Sequence, residues 1–433
     1  MSRLNGFCNI DAKQFLDIYE EYGAPAYVYD GAAIAERCRA ALSMPNAFGI
    51  DARYAMKANS NRTLLREITR FGLLIDASSL SEARRAVMAG VDCDKIILTS
   101  QEIPEGGDRE VLEGMIRRGL LYNVCSLRQL RLIGDFAADN ATELSIRVHP
   151  GVGAGETASR NTGDHYSCFG VHLSDIDEAL EYAGGMGLKF TQVHTHIGSG
   201  GDPELWRGNI DRLLGIVGTY FPDAVSVSFG GGLKEARMPG ETAADIESLG
   251  GYAAERISEF YARTGRKLKM EIEPGTYIVA NAGYALTRVI DKKSTGAGGF
   301  KFVVVNGGME INARPQLYGS HHPFYVVSRA GELLSSEFDG DEKTYDAIVA
   351  GRCCESGDTQ NIDADGAITP RAMAEPEIGD LVIIGGVGAY CSSMAPFNYN
   401  SYPQAPEILV RENGHPQLIR KRQELEQIVV NEL

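Results

Sequence analysis

The architecture of this 433-residue chain is already visible in residues 52–78, ARYAMKANSNRTLLREITRFGLLIDAS. A short apolar run, ARYAMK (52–57), precedes a stretch in which apolar residues recur at 64, 65 and 68, and a second apolar run, LLIDAS (73–78), follows. Short apolar runs are typical of buried strands, and the three-to-four spacing is typical of a helix. The stretch therefore predicts one strand–helix–strand unit.

The same alternation continues to about residue 274. The other strand-like runs are KIILTS (95–100), LYNVCS (121–126), ELSIRV (143–148), KFTQVHTHI (189–197), AVSVSFG (224–230) and MEIEP (270–274). Eight strands that alternate with helices predict an α/β fold in which parallel strands close into a (β/α)8 TIM-type barrel. An open doubly wound sheet is the alternative, and it is disfavoured because no GxGxxG follows the first strand.

The pattern changes after Ile290. Short β-rich runs such as KFVVVN (301–306) and DLVIIGG (380–386) are separated by Gly, Pro and Asp, which predicts a second, β-rich domain. The opening run APAYVYD (24–30) predicts a strand that joins this domain, and a linker-like STGAGG (294–299) lies near the boundary. We predict a barrel over residues 33–282 and a β-rich domain from residues 1–32 and 283–433.

The amino-acid composition indicates which classes of binding partner are disfavoured. The 42 basic and 58 acidic residues give a net charge of −16, which disfavours a sequence-independent grip on nucleic acid or on an anionic membrane. The eight cysteines contain no CxxC pair, as expected for a reducing cytosol and not for a zinc ribbon. The first thirty residues predict no signal peptide, and no apolar run reaches the ~20 residues of a membrane span. We therefore expect a cytoplasmic enzyme.

Polar residues at the carboxyl ends of the predicted strands are the candidate site, because chemistry gathers at that end of such barrels. They are Lys57, Asp76, Ser100, Ser126, Arg147, His196, the run Gly230, Gly231 and Gly232, and Glu273.

Each of these residues also has an ordinary structural explanation. Lys57 can extend from the barrel rim, His194 and His196 can be core histidines, and Glu273 can belong to a salt bridge. An HxH pair without a third ligand nearby is weak evidence for zinc, so no metal is predicted. Taken together, an amine, a ring-stacking histidine, a glycine loop for phosphate and a carboxylate match the requirements of pyridoxal phosphate.

The sequence resembles the diaminopimelate decarboxylases, which are fold-type III pyridoxal-phosphate enzymes. The resemblance covers nearly the whole chain and is carried by YAMKANSN (54–61), IDASSLSE (75–82), IRVHP (146–150), HTHIGSG (194–200), FGGG (229–232), EIEPG (271–275), RPQLYG (314–319), CESGD (354–358), GAY (388–390) and YNSYPQAPE (399–407). It implies an N-terminal (β/α)8 barrel and a C-terminal β-sandwich domain.

The resemblance also implies roles for individual residues. Lys57 would carry pyridoxal 5'-phosphate as a Schiff base, and the other cofactor-binding residues would be His196, Ser199, Gly230, Gly231, Gly232, Glu273, Gly275, Thr276 and Tyr390. The substrate-binding residues would be Arg314, Tyr318, Glu355 and Tyr390. Cys354 would be the proton donor that reaches the site of the opposite subunit, which implies a homodimer. The neighbouring Cys353 is explained equally well as a small buried residue without a catalytic role.

One departure concerns the substrate: many family members read EPGR where this chain has Thr276, so one arginine is missing. The implied activity is decarboxylation of meso-2,6-diaminopimelate to L-lysine and carbon dioxide, the last step of lysine biosynthesis. The alternative is a related decarboxylase that acts on ornithine, lysine or a siderophore precursor. CESGD argues against a racemase, and the presence of both Lys57 and the glycine loop argues against a non-catalytic homologue.

Overall fold

The computed structural model of the chain describes residues 8–151, 162–163, 165, 167–198, 202–339 and 344–433. These residues form two compact units. One comprises Cys38–Lys234 and Ala243–Tyr277, and the other comprises the chain up to Arg37, Glu235–Thr242 and Ile278–Leu433. The short segment Glu235–Thr242 thus belongs with the β-rich unit although it follows the seventh barrel strand. The predicted boundaries at 32/33 and 282/283 stay a prediction.

The first unit is a closed barrel of eight parallel strands, which confirms the predicted fold class. Its strands are Ile50–Ala55, Leu74–Ala77, Ile96–Thr99, Leu121–Val124, Glu143–Arg147, Lys189–His194, Ser226–Ser228 and Lys269–Ile272. Every strand lies within one of the eight apolar runs or overlaps it by most of its length. The last strand pairs with the first, Ile50 opposite Met270, and this pairing closes the barrel.

Helices connect successive strands: Arg62–Arg70, Leu80–Met88, Gly106–Ile116, Leu127–Asn140, Ile176–Gly185, Pro203–Tyr220 and Ile246–Thr264. Local sequence fixes several of their ends. The Ser79 and Ser126 side chains accept the backbone N–H of Glu82 and Gln129, so each serine caps a helix that begins at the next residue. Gly265 ends the last helix in the left-handed conformation (φ 72°).

The strand register brings polar residues to one level at the carboxyl end of the barrel. Arg147 pairs with His194, His194 with Ser228, and Ser228 with Glu271. Hydrogen bonding continues one step beyond the strands, where the Glu273 N–H donates to the Gly230 carbonyl at 2.9 Å. Side chains that are far apart in sequence are thereby held on a rigid edge.

The second unit is a ten-stranded mixed sheet. One path of neighbouring strands runs Leu333–Ser336, Phe324–Val327, Leu381–Ile384, Gly283–Ser294, Ala26–Asp30, Glu407–Val410 and Pro416–Arg420. Lys301–Val305 pairs with Gly283–Ser294 and with Tyr345–Ala350, which also pairs with Arg371–Met373. The opening strand therefore joins this sheet as predicted, pairing with residues almost 400 positions later.

Helices Ala12–Tyr22, Gly31–Leu42, Thr276–Val279 and Arg314–Tyr318 complete the fold. The core of the second unit includes the fully buried Phe15, Tyr284 and Tyr325. Phe15 meets Tyr284 edge to face, with ring centroids 5.3 Å apart. Among the described residues, no helix combines the length and apolarity that a membrane crossing requires.

Candidate active site

Lys57 lies just beyond the first barrel strand, Ile50–Ala55, in the single 3-10 turn Met56–Ala58. Met56 and Ala58 are buried, whereas Lys57 is exposed. The turn is pressed against Gly275, where a Cβ atom would lie 3.3 Å from the Cβ atoms of Ala55 and Ala58. A glycine at 275 therefore permits the close approach that places the Lys57 amine at the barrel mouth.

Glu273 follows the eighth barrel strand and is buried. Its Oε2 lies 3.1 Å from Nε2 of His194, and its Oε1 accepts the Ser228 hydroxyl at 3.0 Å. Burial alone raises the pKa of the Glu273 carboxyl, but His194, together with His196 and Ser228, outweighs burial and holds that pKa well below its usual range. The carboxylate is therefore ionised at neutral pH.

Asp76 ends the second barrel strand and is also buried. Burial first, and then the charge of Glu273, raise the pKa of Asp76, while the nearby Lys57 ammonium opposes the rise. Its Oδ1 has no hydrogen-bond partner in the part of the chain that the structure describes. Two carboxyl groups whose pKa values are pushed in opposite directions are typical of acid–base sites.

His196 lies between these groups and the glycine run. Its Nδ1 accepts the Gly231 N–H at 3.2 Å, so the ring proton is on Nε2. Burial, followed by the charges of Arg147 and Lys57, lowers the pKa of His196 well below its usual value. The imidazole is thus neutral and offers an uncharged planar face.

The run Gly230–Gly232 follows the seventh barrel strand, and each position excludes a side chain for its own reason. A Cβ atom would lie 2.7 Å from the Thr195 carbonyl oxygen at Gly230, 2.8 Å from that of Glu273 at Gly231, and 2.8 Å from that of Gly198 at Gly232. Gly230 and Gly232 also have left-handed backbones, with φ of 69° and 91°. Only glycines bring this backbone so close to the barrel mouth.

Glu271, which lies within the eighth barrel strand, has a structural environment different from that of Glu273. Glu271 is buried and pairs with Arg53 Nε at 2.7 Å, and it accepts the Gln192 side-chain amide at 2.7 Å. Both of its oxygens are bound within the barrel. Glu271 is therefore a structural residue of the barrel.

This arrangement fits pyridoxal phosphate. It supplies a lysine amine, an ionised carboxylate suited to a protonated ring nitrogen, a neutral imidazole face, and a glycine backbone that can approach a phosphate closely. Arg147 adds a buried guanidinium whose Nη2 has no hydrogen-bond partner among the described residues. Donors and acceptors that lack partners at the barrel mouth indicate a bound polar ligand.

The β-rich unit carries the predicted proton donor. Cys354 and Glu355 are exposed on the loop that follows strand Tyr345–Ala350, and the Cys354 N–H donates to Asn400 Oδ1 at 2.7 Å. Cys353, in contrast, is buried with its Sγ 3.5 Å from Glu310 Oε2, and burial raises the pKa of its thiol. The doubled cysteine thus divides into one exposed thiol and one enclosed thiol.

Asp358 anchors this loop. Its carboxylate accepts the backbone N–H of Met309 at 2.6 Å and of Cys353 at 2.7 Å. A Cβ atom at Gly308 or Gly351 would lie 2.0 to 2.2 Å from the Asp358 oxygens, so both glycines make room for the carboxylate. The position of Cys354 therefore depends on a buried aspartate four residues later.

The predicted substrate residues of this unit have distinct settings. Arg314 begins a short helix, is 3% exposed, and lies over the Tyr318 ring at 5.4 Å from the centroid. Tyr390 adopts a left-handed backbone with φ of 57°, an uncommon conformation for a tyrosine and one that recurs at functional sites. Glu355 accepts the Tyr399 hydroxyl at 3.0 Å.

The structure brings together the barrel-mouth residues of the prediction, namely Lys57, His196, Gly230, Gly231, Gly232, Glu273 and Gly275, with Thr276 next in the chain. The others, Arg314, Tyr318, Cys354, Glu355 and Tyr390, lie in the β-rich unit, and Ser199 lies outside the described residues. Sequence reasoning gave no role to Asp76, Arg147 or the His194–Glu273 pair. Asp76 and Arg147 are part of the strand-end pattern, whereas the HxH pair left His194 open as a metal ligand, a ring-stacking residue or a core residue.

Comparison with known proteins agrees with this chemistry. Residues 32–280 match the family model described as "Pyridoxal-dependent decarboxylase, pyridoxal binding domain". The chain therefore belongs to the pyridoxal-dependent decarboxylase family, and its cofactor is pyridoxal phosphate.

Within this family the chain is similar to diaminopimelate decarboxylases, which confirms the resemblance seen in the sequence. The Escherichia coli enzyme is 33% identical over 429 residues, covering 98% of this chain and 97% of that one. A crystal structure of a diaminopimelate decarboxylase superposes with a TM-score of 0.88 at 31% identity, covering 100% and 99% of the two chains. The Helicobacter pylori enzyme complexed with L-lysine gives 0.77 at 26% identity, with 96% and 98% covered.

Proposed function

We propose that the protein is a carboxy-lyase that converts meso-2,6-diaminopimelate to L-lysine and carbon dioxide, the last step of lysine biosynthesis. The observation that carries the proposal is the ionised Glu273 at the mouth of a barrel that also presents Lys57 and the glycine run. The near-complete coverage of diaminopimelate decarboxylases at 33% identity supports the choice of substrate.

When bound, pyridoxal phosphate supplies a conjugated ring that accepts the electron pair left when carbon dioxide departs. Lys57 is the amine that would hold the cofactor covalently. Glu273 places a negative charge where it keeps a proton on the ring nitrogen, because an adjacent carboxylate favours the charged form of a base. His196 would pack its neutral face on the ring, and the N–H groups of Gly230–Gly232 would bind the phosphate. The resemblance adds Ser199, Gly275, Thr276 and Tyr390 as cofactor-binding residues.

Cys354 holds the proton that returns to the reacting carbon. Cys354 is exposed, whereas the thiol of Cys353 is enclosed beside Glu310, so of these two cysteines Cys354 is the one that can meet a substrate. We propose that Cys354 serves the site of a second copy of the chain, so that the active form is a homodimer.

Arg314, Tyr318, Glu355 and Tyr390 bind the substrate in this proposal. Arg314 suits the remote carboxylate, because a guanidinium can grip both carboxylate oxygens at once. The proposed compartment is the cytoplasm, and the eight free cysteines support it because free thiols persist in reducing compartments.

Product analysis of the purified protein tests the function. Supplied with meso-diaminopimelate, L-lysine or L-ornithine in turn, the protein should release carbon dioxide at a substantial rate from meso-diaminopimelate alone and form L-lysine. Arg314→Ala should lose much of kcat/KM for this substrate, because charged groups built to bind a carboxylate are lost. Equal or faster turnover of L-ornithine or L-lysine would favour the related decarboxylases instead.

A further inference from the structure

Two arginines of the β-rich unit, Arg237 and Arg314, have no carboxylate within ion-pair distance among the described residues. Five other arginines of the same unit each have one: Arg37 with Glu235 at 3.2 Å, Arg329 with Glu377 at 2.7 Å, Arg352 with Glu310 at 3.0 Å, Arg371 with Glu337 at 2.7 Å and Arg420 with Glu407 at 3.4 Å. Arg237 and Arg314 therefore carry enclosed positive charges that no described carboxylate neutralises by contact.

The hydrogen bonding of these two guanidiniums is also incomplete. Arg237 donates through Nε to the Gly386 carbonyl at 3.0 Å, but its enclosed Nη2 has no partner among the described residues. Arg314 donates through Nη2 to Ser320 Oγ at 3.3 Å, and its enclosed Nε likewise has no partner in that part of the chain. Enclosed charged donors without acceptors are costly, so their presence indicates an acceptor other than the described residues, such as a bound anion.

Arg237 and Arg314 are close enough to influence each other. Burial, followed by the charge of Arg314, lowers the pKa of Arg237 to about 10, so the Arg237 guanidinium remains charged at neutral pH. His322, which is near both, directs Nδ1 to the Gly385 carbonyl at 2.9 Å, and burial lowers its pKa well below the usual value. The histidine is therefore neutral and adds no positive charge beside the two arginines.

The turn Gly385–Gly386 is shaped to receive Arg237. Gly386 has φ of 68°, and a Cβ atom there would lie 2.9 Å from Cδ of Arg237. The Gly386 carbonyl accepts a hydrogen bond from the guanidinium, and the absence of a side chain at Gly386 leaves space for the methylene groups of Arg237. Tyr390, a predicted substrate residue, is four positions further along. The position of Arg237 thus results from tertiary packing and not from a loose loop.

We infer that Arg237 is a specificity-determining residue that joins Arg314 in binding the substrate carboxylate remote from the reacting centre. This inference rests on the proposed function and extends it to a residue that carries no family motif. Two guanidiniums can each offer a pair of N–H donors to one carboxylate, and the anion relieves their mutual repulsion. Arg237 thereby supplies a second positive charge to a chain that has Thr276 where an arginine is common.

The test compares substrates with and without the remote carboxylate. D-lysine has the same D-configured reacting centre as meso-diaminopimelate but lacks the second carboxylate. In the holoenzyme, Arg237→Met should lower the ratio of kcat/KM for meso-diaminopimelate over D-lysine at least tenfold, and Arg237→Lys should restore part of the loss. The matched control is Arg329→Met, an exposed arginine of the same unit, which should leave the ratio unchanged.

A binding measurement provides a readout independent of turnover. L-Lysine, the product, keeps the remote carboxylate, whereas 1,5-diaminopentane has none. By calorimetry on the holoenzyme, Arg237→Met should weaken L-lysine binding at least tenfold and leave the affinity for 1,5-diaminopentane unchanged.

An unchanged substrate ratio together with unchanged L-lysine affinity in Arg237→Met would overturn the inference. If that variant does not fold, Arg237→Gln and Arg237→Lys take its place, since a ratio within one variant does not depend on the amount of folded protein. Failure of the wild-type protein to turn over meso-diaminopimelate would refute the proposed function itself, and it would be seen before any variant is made.

Discussion

Gly230→Ala should damage both the barrel and its cofactor site. An L-residue in the left-handed conformation costs roughly 1–2 kcal/mol. The new Cβ would also lie 2.7 Å from the Thr195 carbonyl oxygen and 2.8 Å from Nδ1 of His196. That carbonyl is backbone on the barrel edge, so it cannot rotate away, and overpacking of this kind costs about 1–3 kcal/mol. The expected loss of stability is therefore about 2–5 kcal/mol.

Gly240→Ala is the matched control. Gly240 also has a left-handed backbone (φ 85°), but a Cβ atom there would meet nothing within 4 Å. It should lose only the roughly 1–2 kcal/mol of backbone strain. Replacing glycine by alanine also lowers the conformational entropy of the unfolded chain, which stabilises the fold. This effect is common to both variants and cancels in the comparison.

The assay combines urea unfolding of both variants with titration of pyridoxal phosphate, followed by the absorbance of the bound cofactor. Gly230→Ala should unfold at a clearly lower urea concentration than Gly240→Ala and should bind the cofactor more weakly, because the alanine displaces His196 or the glycine run. Equal unfolding midpoints, together with wild-type cofactor affinity in Gly230→Ala, would refute the steric argument.

Three further predictions concern charge, anchoring and assembly. The pKa of Glu273 is lower in the folded protein than its usual value of 4.5. The ionised Glu273 therefore stabilises the fold above pH 4.5, and this contribution is lost as the pH falls below that value. The difference in unfolding free energy between wild type and Glu273→Gln should be constant near pH 7 and shrink in acid, whereas a difference that grows in acid would contradict the prediction. Asp358→Ala leaves two backbone donors without their acceptor, and should cost about 2–5 kcal/mol in urea unfolding while lowering activity, whereas the exposed Asp365→Ala should do neither. Mixing inactive Lys57→Ala with inactive Cys354→Ala should restore part of the activity through heterodimers, and no recovery despite demonstrated subunit exchange would place both residues in one subunit's site.

The barrel was predictable because its signals are local. Parallel strands buried on both faces give continuous apolar runs. Ser79 and Ser126 mark the start of helices, and Gly265 marks the end of one, within a few residues of those runs. The strand-end rule then selected Lys57 and Glu273 without reference to geometry. The helix Gly106–Ile116 has a weaker local signal, because its first turn, GGDRE, has no apolar residue to reveal the period.

Other features depend on contacts that no local pattern reports. STGAGG (294–299) has the composition of a linker, yet it is the hairpin loop that joins two paired strands within the sheet. Glu235–Thr242 follows a barrel strand but packs with the β-rich unit, so Arg237 could not be recognised as a site residue from sequence. The pairing of His194 with Glu273 across the barrel likewise depends on strand register, which apolar runs leave undetermined.

The central claim is that the amine beyond the first barrel strand carries the cofactor. Borohydride reduction of the purified protein, followed by peptide mass mapping, tests it most directly. We expect a pyridoxyl adduct on the peptide that contains Lys57, and no adduct in Lys57→Ala. An adduct on any other lysine, with Lys57 unmodified, would show that Lys57 does not carry the cofactor.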